Sequence, residues 1–144
     1  MPKKILVIAN ETADSEQLHD VVRAAALGSK AEVLVVAPAL NGRMRHWLSG
    51  SDDAREEARR RLVRCVGSLA GRGVEANGMI GDSDPFQATL DALHLFPADE
   101  IVIATQPEHR SNWLARKLVD RVAEQFAGPI LHLVVDARPQ LAAA

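Results

Sequence analysis

The chain has 144 residues, 47% of them hydrophobic and 25% charged, with a net charge of −2. That length suits one domain around one core, and the balance excludes a disordered chain and gives no general attraction to nucleic acid or anionic lipid. The single cysteine, Cys65, excludes an internal disulfide and fits a reducing cytoplasm, and no apolar run is long enough for direct membrane insertion.

Residues 4–9, aliphatic after Lys4, predict the first strand. A polar turn over 10–14 opens a helix with Asp14 as cap and Gln17 three residues on; Leu18, Val21, Val22 and Ala25 share one face. Gly28 stops that helix, and a second strand over 32–37 ends at Pro38. Residues 39–51 show no period. Arg43, Arg45, His46 and Trp47 there make either a lid or a solvated loop with Trp47 tucked onto the core. A second helix starts near Ser51 or Asp52 and buries Ala54, Ala58, Leu62, Cys65, Val66 and Leu69. Its outer face pairs Glu56 with Arg60 and Glu57 with Arg61, so Arg59-Arg60-Arg61 reads as a solvated face. Gly71 and Gly73 end it before a weak third strand over 75–80.

The third helix is announced by Asp84 as cap, Pro85 at the first helical position and Gln87 three residues past the cap, with Phe86, Leu90 and Leu93 inward. The fourth strand follows Asp99. A fourth helix starts at Ser111 or Asn112, buries Leu114, Leu118, Val122 and Phe126, and closes at Gly128-Pro129 before a last strand over 130–135. Strands without alternation are buried on both faces, and helices between them imply right-handed parallel crossovers. The pattern predicts an α/β three-layer sandwich around a five-stranded parallel sheet, with residues 1–137 as one domain and 138–144 as a C-terminal tail that frays over Leu141 to Ala144.

Several strings in this order resemble the universal stress protein family. Lys4-Ile5-Leu6-Val7-Ile8-Ala9-Asn10 is similar to that family's first strand, which usually ends in an aspartate. Gly81-Asp82-Ser83-Asp84-Pro85-Phe86-Gln87-Ala88 resembles its third loop and helix start. Ala98-Asp99-Glu100-Ile101-Val102-Ile103 resembles its fourth strand, and Gly128-Pro129-Ile130-Leu131-His132-Leu133-Val134-Val135 its last. The resemblance implies the adenine nucleotide alpha hydrolase-like fold, strand order 3-2-1-4-5, and a homodimer through Ile130, Leu131, His132, Leu133, Val134 and Val135.

Nucleotide-binding members carry G-x-x-G-x9-G and then Ser or Thr after strand four. Here the glycine positions hold Ile103, Gln106 and Arg116, or, shifted by one, Ala104, Pro107 and Lys117. No glycine occurs between Ala104 and Ala127, so the backbone approach that phosphates need is missing. Arg110-Ser111-Asn112-Trp113-Leu114 resembles a variant of glycine-poor branches of the family, some attached to amino-acid permeases.

A doubly wound fold binds ligands beyond the carboxyl ends of its strands. The candidate ligand-binding set is Asn10, Thr12, Ala37, Gly81, Asp82, Thr105, Gln106, His109, Arg110, Ser111 and Asn112. Asn10 stands where the family places an adenine-contacting aspartate; it either reads a base edge or starts a turn. His109 to Asn112 gather donors at a helix N-terminus, suited either to a small anionic ligand or to simple capping. No nucleophile–base pair is evident, and the five histidines (19, 46, 94, 109 and 132) show no metal-binding spacing. Cys65 reads as an inert core thiol and His132 as a residue of the dimer edge.

The expected function is a non-catalytic, homodimeric ligand-binding or regulatory module with a degenerate nucleotide site, cytoplasmic and with no cofactor or metal. The alternative is an ATP-binding, slowly hydrolysing member that takes ATP or AMP with Mg and uses Arg110 and Lys117 in place of glycines. A phosphoacceptor receiver, with Asn10-Glu11, Asp82 and Thr105 as its acidic and hydroxyl positions, is opposed by the absence of a lysine after the last strand. A nucleotidyl transferase is opposed by the absence of a HxGH-type string.

Overall fold

The computed structural model describes residues 3–9, 11–27, 30–38, 50–106 and 109–135, the side chains of 11, 50–54 and 109–115 excepted. Asn10, residues 39–49, Pro107 and the C-terminal tail lie outside the described residues. The chain runs β1 (Lys3–Ile8), a short 3-10 turn (Glu11–Asp14), α1 (Glu16–Ala26), β2 (Ala31–Pro38), α2 (Gly50–Gly71), β3 (Glu75–Gly81), α3 (Pro85–Leu95), β4 (Glu100–Thr105), α4 (His109–Gln125) and β5 (Ile130–Val134).

The strands form one five-stranded sheet in the order β3-β2-β1-β4-β5. Every neighbouring pair is parallel. This is the expected three-layer α/β sandwich. It also removes the receiver reading, since receivers of that kind follow the order 2-1-3-4-5.

In β1, Ile5, Leu6, Val7 and Ile8 are all at most 3% exposed, and each such side chain contributes about 1.5–3 kcal/mol on leaving water. Alternation sends Ile5 and Val7 to the α1–α2 side, with Leu18, Val22, Ala58, Leu62, Cys65 and Leu69. Leu6 and Ile8 go to the α3–α4 side, with Ala88, Ala92 and Val122. Burial with Asp14 nearby pushes the Cys65 thiol up to about 12, so it stays protonated and inert.

Helix termini follow local chemistry, with two departures from the sequence reading. The cap of α1 is Ser15, whose hydroxyl accepts from the Leu18 amide, because a 3-10 turn comes first and takes Asp14 into it. Asp14 instead pairs with Arg64 on α2 at 3.1 Å. Helix α4 begins at His109, so Ser111 and Asn112 lie within its first turn rather than capping it. The α3 start is as expected: Asp84 accepts from the Phe86 amide at 3.1 Å and Pro85 leads the helix. Gly73 follows α2 at φ 80, a left-handed conformation that side-chain-bearing residues rarely adopt.

Candidate functional site

The strand order reverses between β1 and β4: the chain winds outward through β2 and β3 on one side and through β5 on the other. The crevice beyond the carboxyl ends of β1 and β4 is therefore the place where this architecture receives ligands. Glu11 to Asp14 follow β1 there, Pro38 and Gly81 end β2 and β3 in register, and Thr105 ends β4. All the described candidate residues fall at this end of the sheet.

Their individual roles differ. Thr12, 4% exposed, donates its hydroxyl to the Ala104 carbonyl at 3.1 Å, tying the turn after β1 to the end of β4 across the reversal. Ala37 is wholly buried, so only its backbone could meet a ligand. At Gly81 a Cβ would stand 2.7 Å from the Ala88 Cβ and 2.9 Å from Val36, so glycine lets the α3 start close on the sheet. The Asp82 carboxylate accepts from the Asp84 amide at 2.9 Å and shapes the loop into α3. Thr105 hydrogen-bonds its hydroxyl to His132 Nε2 at 2.8 Å, and Gln106 is half-buried just beyond it. His109, Arg110, Ser111 and Asn112 place the first-turn backbone of α4 at the same end.

His132 thus bonds within its own chain. Partial burial, and then Arg116 nearby, lower its pKa from the ordinary 6.5. The folded protein takes up this proton less readily than the unfolded chain, so its contribution is fully present above the unfolded value and is lost as pH falls below it toward the lower folded value. Urea titrations should show stability declining below about pH 6.5, and His132→Gln should flatten that decline.

The residues proposed for pairing through β5 are not equally available. Val135 is 2% exposed and belongs to the monomer's own core. Ile130 and Leu133 are half-buried against the two cores, whereas Leu131 and Val134 are 43% and 41% exposed. Those two carry the apolar surface of this edge.

A concavity of about 360 Å3 lies at the opposite end of the sheet, lined by Arg23, Lys30, Arg72 and Glu75 among others. Arg23 sits in the last turn of α1 and Arg72 just past the end of α2, where cations offset helix carbonyls, and Glu75 adds a negative charge. The three cations outnumber the one carboxylate, and Arg72 is already engaged by Asp20 at 3.3 Å. Among the described residues no cluster of three His, Cys, Asp or Glu could hold a metal ion, and no helix is long and apolar enough to cross a membrane.

Sequence reasoning missed His19. It is 3% exposed, and both ring nitrogens are engaged, Nε2 with the Ala13 carbonyl at 2.7 Å and Nδ1 with Ser68 at 2.8 Å. The available signal was its place beside Leu18 and three residues before Val22, on the edge of the buried stripe of α1.

No protein-family model matches the chain, and none of the curated proteins matches it. Solved structures do. A universal stress protein from Archaeoglobus fulgidus superposes with a TM-score of 0.65 at 20% identity, covering 92% of this chain and 93% of the other. A protein from the same family from Burkholderia pseudomallei gives 0.66 at 19% identity over 92% and 96%. The fold is that of the universal stress proteins. An Arabidopsis thaliana member of that family, solved with AMP bound, gives 0.64 at 16% identity over 99% of both chains. Others with this fold were solved in complex with dAMP and with cAMP. These structures correct the expectation of no cofactor, because proteins that share this fold were solved with AMP, dAMP and cAMP.

Proposed function

We propose that this protein is a non-catalytic, universal-stress-type binding module that takes an adenosine monophosphate in the crevice beyond β1 and β4 and acts as a cytoplasmic homodimer. The observation that carries this reading is the placement of Thr12, Gly81, Thr105, Gln106 and the first turn of α4 around one strand-order reversal, in a fold whose solved examples include AMP and dAMP complexes. A monophosphate needs few contacts, which the amides opening α4 can supply together with Arg110 and Ser111. Asn10 keeps both a donor and an acceptor for an adenine edge. The second reading, an ATP-binding and slowly hydrolysing protein using Arg110 and Lys117, draws on the same nucleotide-bound structures but must hold three phosphates without a glycine-lined cradle.

Native mass spectrometry of freshly purified protein tests the proposal. The expected species is twice the chain mass with retained adenosine monophosphate, or one that acquires it on addition of AMP. A bare species that ignores AMP would defeat it.

Pairing through β5 has its own test. An exposed apolar edge strand is a hazard unless covered, and a two-fold axis placing it against its own copy is the commonest closed arrangement. Val134→Lys should leave the monomer folded, since Val134 is already 41% exposed, and should shift sedimentation to the monomer mass. A variant that still sediments as a dimer moves the interface elsewhere.

A further inference from the structure

The turn Glu11–Asp14 links β1 to α1 at the crevice, and its two middle residues lie in a nearly dry interior: Thr12 is 4% and Ala13 0% exposed. A buried carbonyl without a donor is costly, so the turn needs a partner from elsewhere in the chain. His19, one turn into α1, supplies it. A carbonyl only accepts, so the 2.7 Å contact requires the proton on Nε2, which leaves Nδ1 of the neutral ring as an acceptor for the Ser68 hydroxyl at 2.8 Å. The Ser68 oxygen in turn accepts from Arg72 Nη1 at 2.5 Å, and Arg72 Nε donates to Asp20 at 3.3 Å. All donors run one way, from Arg72 through Ser68 and His19 to Ala13, and every partner of the ring is satisfied.

We propose that His19 is a positioning residue for the crevice: its Nε2–H holds the turn after β1 in place, while Ser68 on α2 and Arg72 just past its end hold the ring. The same turn reaches β4 through the Thr12 hydroxyl and closes on itself through the Ser15 amide to the Thr12 carbonyl at 3.0 Å. The consequence for ligand binding rests on the reading that this crevice is the nucleotide site. The hold on the turn does not depend on that reading.

Two substitutions separate the two nitrogens. His19→Gln carries an amide near the place of Nε2 and can still donate to Ala13; His19→Asn carries one near the place of Nδ1 and reaches only Ser68. Amide exchange followed by NMR should show the Ser15 amide opening at least about tenfold faster in His19→Asn, relative to a core amide such as Val35, and within about threefold of the parent in His19→Gln. AMP affinity should fall in the same order. Equal exchange in the two variants, or no change in either, overturns the proposal. If the Asn variant does not fold, Ser68→Ala reads the same link from α2: faster Ser15 exchange supports it and unchanged exchange overturns it. A parent protein that fails to bind AMP defeats the binding reading, and the exchange comparison still decides what His19 does.

Discussion

AMP and ATP should bind this protein with affinities within about threefold of each other, and Mg2+ should change neither, because the segment after β4 offers no glycine-lined backbone to a β- or γ-phosphate. Each charge-assisted hydrogen bond to an added phosphate would be worth about 1.5–3 kcal/mol, so a competent triphosphate cradle would favour ATP by orders of magnitude. Calorimetry with the two nucleotides under identical salt measures the ratio. ATP binding tenfold or more tightly, and only with Mg2+, would promote the reading in which Arg110 and Lys117 replace the glycines.

The largest effect on stability is expected at the centre of the sheet. Ile101 is wholly buried on β4, aligned with Leu6 of β1 and Ile130 of β5. Ile101→Ala should cost about 2–5 kcal/mol, the transfer term plus the cavity left behind, in a domain whose whole stability is about 5–15 kcal/mol. Leu131→Ala, at a residue 43% exposed on the edge strand, should cost the isolated monomer far less. Urea unfolding of both variants at low protein concentration makes the comparison. Similar losses would mean that β5 is more deeply packed than its exposure indicates.

Much of the architecture was legible because its signals are local. Aliphatic runs without alternation marked strands buried on both faces, and Asp84-Pro85 marked the start of α3 to the residue. Local signals failed where two neighbours carry the same chemistry. Asp14 and Ser15 are both capping residues, and choosing between them required knowing that a 3-10 turn precedes the helix. The candidate site was legible as a place, the carboxyl ends of the strands, more than as a set of contacts. Thr12 and Thr105 were read only as candidate ligand-binding residues, and the partners of their hydroxyls, Ala104 and His132, lie 92 and 27 residues away. His19 escaped notice for the same reason: Ser68 is 49 residues away on another helix. The nucleotide expectation went astray by treating a missing glycine motif as a missing ligand. A glycine loop serves phosphates, and its absence does not by itself exclude contacts to the rest of a nucleotide.

Hydrogen–deuterium exchange of the protein with and without saturating AMP tests the central claim most directly, because it asks which end of the sheet receives the nucleotide. The account predicts slower exchange in the segments that follow β1, β3 and β4, with the first turn of α4 included, and none at the opposite end around Arg23, Lys30 and Arg72. Protection confined to that opposite end, or no protection at all, would contradict it.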